Sequence, residues 1–244
     1  MDCGLQVREP MEGQSESRMV EGRPIVFGVR SVNLTPWSST RKVYEILEPG
    51  CISKELLQRS DVILNINHSN MVTDVLGRCN NGKGTLELGL RENYVEASCD
   101  LPRTNTANDT LELIKRGDIS GMSFAFEDDR EDTENGVSLE RTNEIEDGKE
   151  VWLRHVKRIT GLYDVSIVTH PAYEQTSVGT REQGDAILRQ IDAQLDSTKQ
   201  REAEEAAKAE REVQEQKERE ALERQEAMKA NERRARRRHI TENW

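Results

Sequence analysis

One short stretch in the second half of the chain indicates the fold most clearly: Gly161-Leu162-Tyr163-Asp164-Val165-Ser166-Ile167-Val168. Its β-branched and aromatic residues favour a β-strand, and successive side chains of a strand point to opposite faces. Asp164 and Ser166 therefore share one face. Because an acidic side chain among apolar residues needs a charged or hydrogen-bonding partner, a histidine is an obvious candidate to lie beside Asp164.

Similar strand-like runs, separated by turn residues, extend from this stretch over residues 23–181. We predict strands at Ile25–Val29, Val43–Leu47, Val62–Asn67, Thr85–Leu90, Tyr94–Leu101, Ser123–Phe126, Val151–Ile159 and Leu162–Val168. Turns are predicted at Pro49-Gly50, Asn80-Asn81-Gly82 and Asp147-Gly148. Two helices are predicted at Ile52–Arg59 and Asn108–Arg116, the second with an Asx cap and an end at Gly117. The fold class is therefore mainly β with helices (α+β), a β-barrel or sandwich carrying helices on its outside.

Composition and charge exclude several classes of protein. The 244 residues carry a net charge of −11, with 34% hydrophobic and 33% charged residues, against about 45–50% and about 25% in ordinary globular proteins. No apolar run of about 18 residues predicts a membrane span, and residues 1–18 do not resemble a secretory signal. The four cysteines are scattered without a CxxC pair, which argues against a zinc knuckle or disulfide framework. An acidic body argues against nucleic acid as the main partner.

The composition and the hydrophobic pattern divide the chain into three parts. Residues 1–22 are polar and aperiodic, and we expect a flexible leader. Residues 23–181 form the compact domain, in which the acidic segment 127–150 is expected to be a solvated hairpin or mobile loop. Residues 182–244 form a charged helical tail that begins with an apolar stripe made of Ile187, Leu188, Ile191 and Leu195.

The rest of the tail is too polar for a strong autonomous coiled coil. Of residues 201–244, 24 of 44 are charged, and large apolar side chains are sparse. We therefore expect a solvated single helix or a helix that needs a partner. The basic cluster Arg233–Arg238 has two readings that stay open: complementarity to the helix dipole, or a hook for an acidic partner.

Three polar residues in the domain are candidates for chemistry: His68, Ser123 and the Asp164 described above. His68 ends the strand-like run 62–68, and Ser123 starts the run 123–126 just after a predicted helix and turn. Either could have a purely structural role when considered alone. The other histidines are His155 within a strand, His170 in a Thr-His-Pro sequence, and His239 in the basic tail. His239 is dismissed as a general base, and His155 is expected to be structural.

The order of these segments resembles the HK97-type prohead (capsid maturation) proteases of tailed bacteriophages. The resemblance covers residues 23–181. It is carried by four motifs in order: Glu48-Pro49-Gly50; Asn67-His68 followed by Leu76-Gly77-Arg78; residues 116–126, RGDISGMSFAF; and residues 164–173, DVSIVTHPAY.

The family resemblance implies a serine endopeptidase on a β-barrel akin to the herpesvirus assemblin proteases. By motif, Ser123 is the expected nucleophile, His68 its general base and Asp164 the acid that orients the histidine. The implied substrates are the scaffolding segment of the major capsid protein and the protease itself, cut inside the assembling procapsid in the host cytoplasm. The tail is then expected to be a scaffold-like targeting segment. No cofactor and no metal is expected, and self-association into a homo-oligomer is left open.

Alternatives remain at this point. His170 could replace Asp164 as third catalytic member, because related viral proteases can use a second histidine. The oxyanion-hole donors are not assigned; backbone N–H groups or Arg158 could serve. A non-enzymatic capsid assembly scaffold or adaptor is the competing function. A metal-dependent hydrolase is a poor alternative, because the sequence has no HxxxH or HxH spacing.

Overall fold

The computed structural model describes residues 4–10, 16–169 and 181–241. The strands are β1 Gln6–Val7, β2 Met19–Val26, β3 Arg41–Leu47, β4 Asp61–Ile66, β5 Gly77–Asn80, β6 Lys83–Gly84, β7 Leu86–Leu90, β8 Tyr94–Asp100, β9 Gly121–Asp128, β10 Val137–Glu146, β11 Lys149–Val156 and β12 Ile159–Val168. The helices are α1 Lys54–Arg59, α2 Asn105–Arg116 and α3 Arg181–Thr241, and a 3-10 turn covers Val72–Asp74.

The described strands form three sheets. Their orders are β1-β2-β8-β7, β10-β11-β3 and β6-β5-β4-β12-β9. Most pairings are antiparallel and join strands that are close in the chain, as expected for hairpins. The five-stranded sheet is the one that matters most for function, because β4, β12 and β9 carry the sequence motifs around residues 68, 123 and 164.

Two parallel pairings position the ends of these strands. β3 pairs with β11, and β4 pairs with β12, with Asn65 opposite Ser166. Two connections lead from the three-stranded sheet to the five-stranded sheet. β3 continues through α1 into β4, and β11 continues through residues 157–158 into β12. The Ile159 N–H donates to the Cys51 carbonyl oxygen at 2.8 Å where the two connections meet. Because β4 and β12 run in the same direction, their carboxyl ends lie at the same edge of the sheet.

A continuous apolar core fills the space behind the sheets. β12 contributes Leu162, Val165 and Ile167 to this core, all almost completely buried. Burying a side chain of this size stabilises a fold by about 1.5–3 kcal/mol relative to leaving it in water. The bulkiest fully buried side chains of the described residues include Trp152, Ile25, Leu47, Ile52, Leu64, Leu86 and Leu101.

A buried ion cluster links two of the sheets. The Arg154 guanidinium on β11 pairs with the carboxylate of Glu45, its register partner on β3, and with that of Asp128 at the end of β9. The Arg154 side chain is only 6% exposed. Although burial alone lowers the pKa of Arg154, the two carboxylates hold this pKa above its usual value. Arg154 therefore stays charged, and its two ion pairs fix the end of β9 against the three-stranded sheet.

The tight turns follow the sequence closely. Asn81 and Gly82 have φ of 51° and 71°, and Asp147 and Gly148 have φ of 51° and 74°. Both pairs are two-residue hairpin loops in which both central residues need a positive φ, and Asn-Gly and Asp-Gly are the preferred sequences for that geometry. These turn predictions are confirmed, and the acidic segment 127–150 contains β10 and the turn of the β10–β11 hairpin.

The sequence-based description needs several corrections. The predicted β-barrel is wrong in this form, because no strand pairing in the described residues closes the sheets into a ring. Residues 4–10 and 16–22, expected to be a loose leader, contain β1 and half of β2 and bury Leu5 and Val20. The second helix begins at Asn105 after the cap Thr104, three residues earlier than predicted, although it ends at Gly117 as expected.

Strands β1, β5, β6 and β10 were not predicted. β1, β5 and β6 have only two to four residues, too few for an alternating pattern to appear. β10 is mostly exposed and polar, and pairing with β11 rather than burial holds it in place.

The chain divides into two compact units, Met1–Ala186 and Ile187–Trp244. Helix α3 begins at Arg181 and continues through the second unit. At the positions of the predicted stripe, Ile187 and Ile191 are buried and Leu188 and Leu195 are half-buried, whereas residues 196–220 are exposed. None of the helices in the described residues has the length and apolarity needed to cross a membrane.

We predict that Arg154→Ala lowers the free energy of unfolding by about 3–5 kcal/mol, because it removes the buried guanidinium from the carboxylates of Glu45 and Asp128. Among the described residues, Asp128 then keeps only the exposed Arg130 as a cation partner, at 3.1 Å. The measurement is chemical denaturation. The matched control is Arg78→Ala, which removes an arginine from an exposed pair with Asp61 and should barely move the midpoint. Equal effects of the two substitutions would contradict a structural role for the buried cluster.

Candidate active site

The candidate site lies on one face of the five-stranded sheet, where β4 and β12 end. Asn67 and His68 follow β4 and have φ of 48° and 53°. This left-handed conformation turns the chain sharply back over the sheet. The turn is tied to the neighbouring strand, since the Asn67 N–H donates to the Ile167 carbonyl oxygen at 3.0 Å.

His68 and Asp164 are in direct contact. Nδ1 of His68 lies 2.7 Å from Oδ1 of Asp164. An ionised carboxylate can only accept a hydrogen bond, so Nδ1 is the nitrogen that carries the proton. In the neutral ring Nε2 then has a free lone pair and can accept a proton from another group.

A β-bulge explains how Asp164 reaches this face. Leu162 lies opposite Phe126 and Asp164 opposite Ala125, so Tyr163 is the extra residue in β12. Leu162 and Val165 can then both point into the core, although they are three residues apart, while Asp164 and Ser166 point to the site. Bulges commonly redirect a side chain beside an active site in this way.

Ser123 lies on the adjacent strand, on the same face. It is directly opposite Ser166 in the β9–β12 register, and Ser166 is opposite Asn65 in the β12–β4 register. These three residues form a polar row across the sheet at intervals of about 4.8 Å, and all three are buried. His68 contacts Asp164 and Ser166 of β12, and Ser123 lies on the strand next to β12.

No hydrogen bond joins Ser123 to the His68 ring in the described residues. Serine–histidine hydrogen bonds are often long before substrate binds and tighten in the reacting complex. The arrangement thus contains a serine, an imidazole on the same sheet face and a carboxylate on the far nitrogen of that imidazole. These are the components by which a hydroxyl is converted into a nucleophile.

His155, the other histidine whose side chain the structure describes, does not form a comparable set. His155 bridges two carboxylates, with Nδ1 2.6 Å from Glu48 and Nε2 3.0 Å from Glu140. With both nitrogens engaged, this ring is not available as a base. His170 lies outside the described residues, and His239 lies on α3.

Cysteine chemistry does not compete with Ser123 in the described part of the chain. Burial raises the pKa of Cys51 to about 12 and that of Cys99 to about 11, and it also raises the pKa of Cys79. These thiols stay protonated at neutral pH and are poor nucleophiles. Among the described residues, no group of three or more His, Cys, Asp or Glu side chains is arranged to hold a metal ion.

Arg158 is too far away to assist Ser123. It precedes Ile159, which lies opposite Asp128 at the other end of β9. Five residues of strand separate Asp128 from Ser123, or about 17 Å. The Arg158 guanidinium is also engaged by Asp129 and Asp132, both at 2.7 Å.

Two residues of the site were missed as contributors by sequence reasoning. Ser166 was assigned only to the face of Asp164, and Asn65 was not singled out. Their side chains form hydrogen bonds to the turn that bears His68. The available signal was a buried polar side chain within each of two apolar strands, which requires a partner somewhere in the fold.

Comparison with known proteins adds an independent observation. The family model of the caudovirus prohead serine proteases matches residues 4–190. The chain belongs to this family. It is therefore a serine peptidase of phage prohead maturation, and it acts on capsid proteins and on itself in the assembling procapsid. Searches of curated proteins and of solved structures return no match.

The match extends beyond residues 23–181, which carried the resemblance in the sequence. It begins near the N-terminus and includes β1, in agreement with the finding that the leader is partly folded. It also includes the start of α3, up to Gln190. The charged remainder of the tail lies outside the matched region.

We predict that Asp164→Asn lowers peptidase activity by about 10³–10⁴-fold, because an amide can donate to Nδ1 and so stabilises the wrong tautomer of His68. The measurement is the rate of self-cleavage. The control Asp61→Asn, at an exposed ion pair on β4, should retain normal activity. Full activity of Asp164→Asn together with an inactive His170→Ala would reassign the third catalytic member.

Proposed function

We propose that Ser123, His68 and Asp164 form the catalytic triad of this prohead protease. The observation that carries the proposal is the 2.7 Å contact between Asp164 and Nδ1 of His68, on the sheet face that also presents Ser123. It leaves Nε2 as the basic nitrogen on the side available to a hydroxyl. The chain order His, Ser, Asp is no obstacle, since triads are defined by geometry.

The proposed reaction begins when Ser123 Oγ attacks the scissile carbonyl carbon. Its proton passes to Nε2 of His68, and the resulting imidazolium is stabilised by Asp164. The tetrahedral intermediate collapses as His68 gives the proton to the leaving amine, and an acyl-enzyme remains. A water molecule then repeats the sequence: His68 removes its proton, the hydroxide attacks the ester carbonyl, and Ser123 leaves with the proton restored.

The finer substrate assignment rests on the family. We propose that the protein cuts the scaffolding segment of the major capsid protein and its own chain, inside the procapsid and within the host cytoplasm. For the domain division we propose a protease domain at 23–181 that also includes β1 and the start of β2 from residues 1–22, followed by a tail at 182–244. The specific relation of the protease domain to herpesvirus assemblins remains part of the same proposal.

The tail is proposed to act as a scaffold-like segment that brings the protease into the shell. Supporting this role, residues 201–220 lie on one continuous helix and expose their side chains, so they add nothing to a core. Residues 201–244 are also balanced in charge, with 12 basic and 12 acidic residues. A surface of this kind suits extended contacts with other charged helices rather than independent folding.

The triad proposal is tested by intact-mass spectrometry over time on purified wild type and Ser123→Ala. We expect discrete truncation of the wild type and at least about a 10⁴-fold slower reaction in the variant, because alanine has no group that can attack the carbonyl and the buried thiols of Cys51 and Cys99 stay protonated. Ser120→Ala, at an exposed serine three residues earlier, is the matched control and should process normally. Undiminished processing by Ser123→Ala would remove the nucleophile assignment.

If wild type and variant both stay intact, the same pair is incubated with assembled precursor shells. Cleavage of the capsid protein by the wild type alone would then support the assignment. Identical trimming of both proteins would indicate a contaminating protease, since the reaction would not depend on Ser123.

The role of the tail is tested by ending the chain after Gln200. This truncation keeps the buried Ile187 and Ile191 and removes only the charged remainder. We expect the shortened protein to cut capsid protein in solution but to enter procapsids at a strongly reduced copy number, measured by quantitative mass spectrometry of purified shells. Incorporation at the wild-type copy number would refute the targeting role.

A further inference from the structure

The turn that carries His68 is held in an unusual backbone conformation. Asn67 and His68 both have positive φ, with values of 48° and 53°. Residues other than glycine rarely adopt this conformation, and two in succession persist only when surrounding contacts hold them. The position of the imidazole therefore depends on whatever fixes this turn.

Ser166 makes the contact that fixes residue 68 itself. Its Oγ accepts a hydrogen bond from the His68 backbone N–H at 2.8 Å and donates one to the Asn65 carbonyl oxygen at 3.3 Å. The Ser166 residue is completely buried, with 0% exposure. Its hydroxyl thus joins the last part of β4 to the residue that carries the imidazole, from a position two residues along β12 from Asp164.

Other hydrogen bonds hold the flanks of the turn. Asn65 Nδ2 donates to the Ser69 carbonyl oxygen at 3.1 Å, and the Thr169 N–H donates to Asn67 Oδ1 at 3.2 Å. These contacts close the loop around residue 68 but do not reach its own backbone. The Ser166 hydroxyl is the side-chain group in the described residues that accepts the His68 N–H.

We propose that Ser166 is a positioning residue of the peptidase, whose hydroxyl holds the His68 backbone so that one imidazole can reach both Asp164 and Ser123. This inference rests on the proposed triad and extends it. In the described residues, the Ser166 hydroxyl forms no hydrogen bond with the ring of His68 or with Ser123. Its place in the row Asn65–Ser166–Ser123 sets the distance between the base and the nucleophile, because Ser123 is its register partner on β9.

The residue type fits this task. A small side chain is required because the position is buried between two strands of the sheet, and a hydroxyl can accept and donate at once. Alanine would fit the space but would leave the His68 N–H without its partner. A shift of about 1 Å in a catalytic group is sufficient to lower a rate by about 10²-fold.

The experiment measures how fast a fluorophosphonate probe labels the full-length protein. In this reaction Ser123 Oγ forms a bond to phosphorus, fluoride leaves, and the serine proton passes to His68. The concentration dependence separates probe binding from the maximal labelling rate. For Ser166→Ala we expect the maximal rate to fall by about 10²-fold with unchanged probe affinity, because only the alignment of the base is altered.

Ser31→Ala is the matched control. Ser31 is also buried, and its Oγ likewise accepts a backbone N–H, from Glu45 at 2.8 Å, and donates to a carbonyl, that of Val32 at 2.7 Å. It contacts β3 in the three-stranded sheet rather than the five-stranded one. We expect Ser31→Ala to lose thermal stability to a similar extent while labelling at the wild-type rate.

Ser166→Thr should lower stability while keeping activity, the opposite of a control that loses activity through lost stability. It keeps the hydroxyl but forces an additional methyl group into filled space, so the melting temperature should fall. Labelling should stay within a few-fold of wild type, well above Ser166→Ala. A folded Ser166→Thr that is as slow as Ser166→Ala would overturn the proposal, as would wild-type labelling of Ser166→Ala.

A double-mutant comparison distinguishes positioning from a general structural effect. In the Asp164→Asn background the imidazole is already misoriented, so adding Ser166→Ala should cost only a few-fold more. A purely structural role would give the same factor in both backgrounds and would contradict the inference. If the wild type labels no faster than Ser123→Ala, the proposed triad itself fails. If Ser123→Ala is not labelled but Ser166→Ala is labelled at the wild-type rate, only the positioning role of Ser166 is refuted.

Discussion

The parallel pairing of β4 with β12 is the constraint on which the rest of the site depends. It brings the ends of two strands that are about 100 residues apart in sequence to the same sheet edge, so that the turn after β4 lies over the polar face of β12. Ordinary antiparallel hairpins could not do this, because consecutive strands would end at opposite edges. The pairing also sets the register: Asn65, Ser166 and Ser123 align in one row, and Asp164 lies two residues from it.

The site is locally unfavourable in free energy, and the packing of the surrounding fold offsets this cost. Three buried polar side chains occupy the sheet face, and two consecutive residues adopt a left-handed backbone conformation. Opposite them, Leu162, Val165 and Ile167 anchor β12 in the core, and the Arg154 cluster ties the end of β9 to the neighbouring sheet. The strands that present the three candidate catalytic residues are therefore held from behind, which suits a site that must keep its geometry.

Much of the secondary structure could be predicted, because its signals are local. Asn81-Gly82 and Asp147-Gly148 specify two-residue hairpin turns, and Gly117 ends α2 in the left-handed conformation, at φ 79°. The strands with apolar alternation were found for the same reason. The strands within residues 1–22 were not predicted, because β1 is two residues long and the pairing of β2 is interrupted by an irregular register between Gly22 and Ile25. The predicted barrel failed because a count of strands does not say which sheet edges meet.

The sequence by itself determined the identity of the chemical groups and their order. A histidine after an apolar strand, a serine after a helix stop and an acid within a strand indicate a triad once the family motifs are considered together. Only the tertiary structure decided that Asp164 meets Nδ1 of His68, that Arg158 lies at the far end of the sheet, and that the Ser166 hydroxyl accepts the His68 backbone N–H. The physical reason is that these contacts depend on strand register and on one bulge at Tyr163, and both arise from pairing between distant segments.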